Sequence, residues 1–241
     1  VTGATGSGKT TTLYAALSFL NQTEKNIVTL EDPVEYSLEG ITQSQVHPAA
    51  GFTFEKGMRS LVRQDPDIIM VGEVRDKITA RIAIEAALTG HLVLSTMHTA
   101  HAVSAIMRLI DMGIEPFLIN AALSGVLAQS LVRRLCDYCK EKRKATKEEK
   151  VTLQEYGVSC EYVCTPKGCA TCDNIGYKGR IAVCELLDIS PQFRSLITHN
   201  AHYHDMLAQA LKDGMKILAQ DGARKVAHGI ISFEEFMCII V

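Results

Sequence analysis

The 241-residue chain contains no tryptophan, and no cysteine occurs before Cys136. It has no excess of charge either: 25 Lys and Arg stand against 27 Asp and Glu, a net charge of −2. This balance argues against a dedicated nucleic-acid binder, which would be strongly basic, although a local patch is compatible with a neutral total. No apolar run approaches the roughly 18 residues that a membrane helix needs. No basic-then-apolar signal segment opens the chain, and there is no internal repeat or low-complexity tract. What is left is an ordinary composition, 47% hydrophobic and 22% charged. A chain of this size can bury a core without disulfides, as one large domain or two small ones.

The eight cysteines are unevenly spread. Cys136, Cys139, Cys160, Cys164, Cys169, Cys172 and Cys184 crowd into 49 positions, and Cys238 stands apart. Without a signal segment a reduced setting is expected, and there clustered cysteines point to metal rather than disulfides. Cys136-x-x-Cys139 and Cys169-x-x-Cys172, 29 residues apart, suit a tetrahedral Zn²⁺ held by four thiolates. Their gap exceeds the commonest zinc-ribbon spacing of about 15–20 residues. Cys160 and Cys164 lie inside the loop as a competing ligand pair. Cys184 and Cys238 read as buried small apolar side chains.

The first 130 residues alternate strand-like and helix-like stretches. Ile27–Leu30, Ile68–Val71 and Leu92–Ser95 read as buried parallel strands. Helical patterns cover Thr10–Asn21, Phe54–Arg63, Ile78–Leu88 and Ala102–Met112. This order is that of an α/β fold with a parallel sheet. Lys140–Lys150 mixes charges and reads as a solvated loop or helix start, with cysteine-bearing loops as far as Cys172. From Ser190 onward apolar residues recur at three- and four-residue spacing, predicting a helical tail.

Gly3-Ala4-Thr5-Gly6-Ser7-Gly8-Lys9-Thr10 satisfies G-x-x-x-x-G-K-[ST] at every fixed position. The glycines let backbone N–H groups approach phosphate oxygens. Lys9 supplies charge to the β- and γ-phosphates, and the Thr10 hydroxyl can ligate Mg²⁺. The helix that follows, from Thr11, aims its positive end at the phosphates. Only Val1 and Thr2 precede Gly3, and no initiator Met opens the chain. The expectation is a piece of a longer protein, less stable and binding nucleotide more weakly than a longer chain would.

Carboxylates follow the other strands. Ile68–Val71 runs into Gly72-Glu73, with Gly72 where a Walker B strand ordinarily ends in Asp. Ile27–Leu30 runs into Glu31-Asp32-Pro33-Val34-Glu35. Such strand ends face the ligand crevice of parallel sheets. The strand in Thr89–Thr99 lies between His91 and His98, and His98 at its end is positioned to sense a γ-phosphate or contact water.

Together these motifs resemble the secretion ATPases of type II secretion and type IV pilus assembly over nearly the whole chain. The resemblance rests on Gly3–Thr10, on Glu31-Asp32-Pro33-Val34-Glu35-Tyr36, on Arg63–Asp76 as an atypical Walker B, and on Thr89–Thr99 as a histidine box. It implies a RecA-like P-loop NTPase core with a parallel sheet in 1–135, a tetracysteine zinc knuckle in 136–180 and a helical region in 181–241. It implies ATP, Mg²⁺ and Zn²⁺ as ligands. Gly3, Ala4, Thr5, Gly6, Ser7, Gly8, Lys9, Thr10 and Thr11 would bind nucleotide, and Thr10 and Glu73 would hold Mg²⁺. Glu35 would polarise water, while His98, with His91 as a second candidate, would couple the γ-phosphate to subunit movement. Cys136, Cys139, Cys169 and Cys172 would hold zinc, because the assembly branch carries four cysteines here, followed by a segment like Gly176–Arg180.

The family acts as a cytoplasmic homo-hexamer, peripheral to the bacterial inner membrane through platform partners, adding pilin-like subunits to a filament. Ala4 departs from the Pro frequent there. The resemblance implies an N-terminal domain that contributes arginines to the nucleotide site and lies outside these residues, so low activity and weak oligomerisation are expected of this chain alone. The stretch Gly113–Ile119 looks closer to type II secretion than to pilus extension, which is the alternative. A retraction or conjugation-type enzyme would lack the four cysteines. A third reading is a nucleic-acid-binding zinc module using Arg133, Arg134, Lys140, Lys142, Arg143 and Lys144.

Overall fold

The computed structural model describes residues 1–240. In order, the chain forms α1 (Lys9–Leu20), β1 (Ile27–Glu31), β2 (Thr42–Gln45), α2 (Phe54–Leu61), β3 (Ile68–Val71) and α3 (Lys77–Leu88). Next come β4 (Leu92–Ser95), α4 (Ala102–Asp111), α5 (Pro116–Ala122), β5 (Gly125–Leu135), β6 (Glu141–Lys144) and α6 (Lys147–Glu155). The last elements are β7 (Tyr162–Thr165), β8 (Tyr177–Asp188), α7 (Pro191–Thr198), α8 (Tyr203–Lys212), α9 (Leu218–Ala227) and α10 (Phe233–Ile240).

Packing sorts these into two compact units. One comprises Val1–Leu127 and Leu187–Gly214; the other comprises Ala128–Leu186 and the chain from Met215. These groups cut across the motif-based segments 1–135, 136–180 and 181–241. The helical tail is shared, α7 and α8 in the first unit, α9 and α10 in the second. Motifs follow neighbourhood in sequence, whereas a core joins whatever apolar faces meet in space.

In the first unit four parallel strands lie in the order β2-β1-β3-β4. The three expected strands are β1, β3 and β4. Every residue of β1 and β3 is buried, but β4 is half-buried and Leu92 is exposed. Beyond β4 the sheet continues in Thr2, which bridges in parallel to Met97. The Met97 N–H donates to Val1 O at 3.0 Å, and the Thr2 N–H donates to Leu127 O at 2.7 Å. The stem of the glycine loop is therefore flanked by the continuation of β4 and the start of β5. The polar strand β2, Thr42-Gln43-Ser44-Gln45, carries no apolar signal and occupies an edge, where polar residues are tolerated.

Alternation along the strands assigns the two faces. Val28, Leu30, Ile69 and Val71 pack with Met58 and Leu61 of α2 and Ile82, Ala83 and Ala86 of α3. Ile27, Ile68 and Met70 pack with Leu13, Tyr14 and Leu17 of α1. Thr29 and Glu31 share the parity of Ile27, so their side chains go to the α1 face. Full burial of each such aliphatic side chain contributes roughly 1.5–3 kcal/mol.

In the second unit β5 pairs with β8, and β6 pairs antiparallel with β7, with Arg143 opposite Val163. The stretch Lys140–Lys150 is not simply solvated: it holds β6 and the start of α6. Thr146 and Glu149 form a reciprocal capping box at the start of α6. Glu149 is buried and accepts two hydrogen bonds from Arg143, at 2.6 and 2.8 Å. Below lies a core that includes Leu153, Val163, Val183, Ala223, Val226, Ile231 and Phe236.

Candidate functional site

The glycine loop joins its stem to α1. Gly6 and Gly8 adopt left-handed conformations, φ 79° and 86°, which a β-carbon would strain. The turn leaves Thr5 and Gly6 exposed at the crest and buries Lys9. The Lys9 ammonium donates to Gly3 O at 2.9 Å and Ala4 O at 3.0 Å, spanning the loop from within. Burial lowers the Lys9 pKa and the negative charge of Glu73 raises it, so the two side chains lie within electrostatic reach. A glycine loop with left-handed turns and a buried ammonium at the start of a 12-residue helix fits a polyphosphate.

Glu73 follows β3 and is buried. Its Oε1 pairs with Arg75 at 2.6 Å, and its Oε2 lies 3.3 Å from His98 Nε2. The end of β3 and the continuation of β4 thus bring Glu73 and His98 together. Gly72, between β3 and Glu73, lies close against β1: a β-carbon there would sit 3.3 Å from both Glu31 Cα and Leu30 O. His91 is elsewhere. It stands before the first residue of β4, the end opposite His98, with Nδ1 2.8 Å from Ala86 O and 3.1 Å from Thr89 Oγ1.

Glu35 is exposed on the loop after β1. Behind that loop is a buried polar network in which sequence reasoning assigned nothing to Tyr14, Thr29 or Gln43. Tyr14 of α1 donates its hydroxyl to Glu31 Oε2. Thr29 and Gln43 donate to Glu31 Oε1, at 2.5 and 3.1 Å. Burial and the bond to Glu31 push the Tyr14 phenol up to about 12, so its proton stays in place at neutral pH. A Thr two residues before a Glu on an otherwise apolar strand was the available sign of a polar pocket on the α1 face.

In the second unit the sulfurs of Cys136, Cys139, Cys169 and Cys172 all lie within 4.8 Å of one another. Cys136–Cys169 are 3.9 Å apart, and Cys139–Cys172 and Cys169–Cys172 are both 3.7 Å apart. These separations far exceed a disulfide bond. They match the edge of about 3.8 Å expected for four sulfurs 2.3 Å from one tetrahedral centre. N–H groups of Cys169 and Gly176 donate to Cys172 Sγ, both at 3.3 Å, as a thiolate would require. The donor set fits zinc.

Comparison with known proteins places the chain in a family. The family model described as "Type II/IV secretion system protein" matches residues 1–238. The chain belongs to the type II/IV secretion system protein family. It is 49% identical over 237 residues to type II secretion system protein E of Pseudomonas aeruginosa, covering 98% of this chain and 47% of that protein. It is 47% identical over 239 residues to the type IV pilus assembly ATPase PilB of Thermus thermophilus, covering 98% of this chain and 27% of that protein. The fold is similar to a crystal structure of the pilus retraction motor PilT with bound ADP. That match has a TM-score of 0.71 and 27% identity, and covers 99% of this chain and 59% of PilT. The chain thus spans about half the length of the type II secretion relatives it matches.

Within this secretion-family chain the remaining cysteines are sorted by the fold. Cys160 and Cys164 stand outside the four-thiol cluster, both half-buried. Cys160 packs against the core of the second unit, and burial pushes its thiol up. Cys184 is half-buried and Cys238 exposed, so neither is the fully buried apolar side chain expected of it. Both follow from the faces of β8 and α10, which composition does not reveal. No helix among the described residues is long and apolar enough to cross a membrane.

Proposed function

We propose that the chain is the ATP-hydrolysing motor domain of a type II secretion system, powering pseudopilus assembly and protein export across the outer membrane. The observation that carries this is the joining of Lys9 on the phosphate loop with Glu73 and His98 at the ends of the neighbouring strands. Residues 3–11 bind the nucleotide, with Lys9 on the β- and γ-phosphates. Thr10 and Glu73 hold Mg²⁺, which neutralises phosphate charge. Glu35 orients the attacking water, and His98 relays the state of the γ-phosphate. Arg75 ion-pairs with Glu73 and so holds the carboxylate that would bind the metal.

Cys136, Cys139, Cys169 and Cys172 hold Zn²⁺ in a structural role, since four thiolates leave no open coordination position. The working form is a cytoplasmic homo-hexamer, held at the inner membrane by platform proteins. Relatives of both kinds match this chain to similar identity, so pilus extension is the second reading. A nucleic-acid module is disfavoured by its own cations. Arg133 is paired with Glu235, Arg134 and Lys140 with Asp137, and Arg143 with Glu149.

The test uses the full-length protein. Glu35→Gln and Glu73→Gln should retain nucleotide binding and lose turnover. Unchanged hydrolysis in both would overturn the assignment. Restoration of export, rather than of pilus extension, in strains lacking the corresponding ATPase separates the two readings.

A further inference from the structure

Glu35 sits on a loop without regular structure, yet catalysis by a water-orienting carboxylate demands sub-ångström placement. The fixed points of that loop are side chains from outside it. The Val34 N–H donates to Gln45 Oε1 at 3.2 Å, and the Glu35 N–H donates to the Tyr14 hydroxyl oxygen at 3.3 Å. Gln43 Nε2 donates to Tyr36 O at 3.2 Å, and the Leu38 N–H donates to Gln43 Oε1 at 2.6 Å. The rings of Tyr14 and Tyr36 meet edge to face, 4.7 Å between centroids.

Tyr14 lies at the centre of this arrangement. It belongs to α1, the helix that begins at Lys9, and is 1% exposed. Its hydroxyl donates its only proton to Glu31, itself 2% exposed, which leaves the oxygen lone pairs for the Glu35 N–H and, at 3.3 Å, Gln43 Nε2. A buried carboxylate with three donors does not rotate freely, so it fixes the hydroxyl, and the hydroxyl fixes the backbone at Glu35.

We infer that Tyr14, anchored by Glu31 and assisted by Gln43, is a positioning residue that holds the Glu35 loop to the phosphate-loop helix. The inference rests on the reading of Glu35 as the residue that orients water. It gives the helix that carries Lys9 a direct mechanical link to the carboxylate loop. A shift of α1 on phosphate binding would then move the backbone of Glu35 without an intervening flexible segment.

The experiment compares full-length variants in kcat, ADP affinity and thermal stability. Tyr14→Phe keeps the ring contact with Tyr36 and removes the hydroxyl. It should lower kcat by about ten- to a hundredfold with ADP affinity unchanged. Because Tyr14 acts through Glu35, Tyr14→Phe should cause no further loss in the residual single-turnover rate of Glu35→Gln. Thr29→Val takes a donor from the same carboxylate but touches nothing on the loop. If it lowers kcat as much as Tyr14→Phe, damage to the buried carboxylate suffices and the inference falls. Gln43→Met is the second probe should Tyr14→Phe fold poorly, and it should lower kcat in the same sense. Full kcat in a folded Tyr14→Phe protein, with Glu35→Gln inactive, would overturn the inference alone. An active Glu35→Gln protein would instead overturn the underlying assignment of Glu35.

Discussion

His98 Nε2 lies 3.3 Å from Glu73 Oε2, while Arg75 holds the other oxygen of the same carboxylate at 2.6 Å. Both oxygens of one carboxylate are thus engaged. Arg75 is largely exposed and Glu73 is not, so the carboxylate supplies the fixed point and the arginine the movable one. Replacement of His98 by Gln keeps a hydrogen-bonding group but removes the imidazole. We expect kcat to fall by about tenfold or more, typical of a lost proton-handling or relay group, with ATP binding retained. Equal kcat in steady-state hydrolysis assays would show that His98 only packs beside Glu73.

The thiol cluster predicts a metal-dependent fold for its own segment. Cys136→Ser should reduce bound zinc, measured by elemental analysis, while nucleotide binding at the phosphate loop persists. Gly176→Ala should act on the same segment without touching a sulfur. Gly176 has φ 77°, its N–H donates to Cys172 Sγ, and an added β-carbon would press into Pro166. The expected cost is about 1–3 kcal/mol of strain, with weaker retention of zinc against a chelator. Undiminished zinc retention in both variants would count against the cluster as a metal site.

Glu149 predicts an acid limb. Hydrogen bonding to Arg143 leads the causes that hold its carboxyl below the ordinary value, ahead of the opposing effect of burial. The unfolded chain has the ordinary pKa, about 4.3. The stabilisation is therefore complete above that pH and is lost as pH falls through the lower folded value. Glu149→Gln keeps a side chain able to cap α6 but removes the charge. It should cost about 1.5–3 kcal/mol at neutral pH, the range for hydrogen bonds to charged groups, and flatten the acid limb below about pH 4.3. Thermal melts across pH 3 to 7 measure this.

Legibility followed the range of the interactions concerned. Gly3–Thr10 could be read because its chemistry is contained in consecutive residues. The strands at Ile27 and Ile68 could be read because burial on both faces demands an unbroken apolar run. β2 could not, since Thr42–Gln45 becomes a strand only through its pairing with β1. Lys140–Lys150 was half legible: its mixed charge rightly suggested an exposed helix start, but β6 needs its pairing with β7, and Glu149 is drawn inward by Arg143. The two CxxC pairs pointed to a metal, yet left Cys160 and Cys164 as rivals.

The sequence by itself determined the phosphate loop, the apolar strands and the pairs of cysteines, because each is a short-range pattern whose chemistry needs only neighbours. The tertiary structure decided which four sulfurs meet, that Glu73 faces Lys9 and His98, and that Tyr14 reaches Glu31. Those are contacts across tens of residues, set by strand order and by which face of β1 turns toward α1. Side-chain parity is written in the chain, but its meaning depends on the element that packs against it.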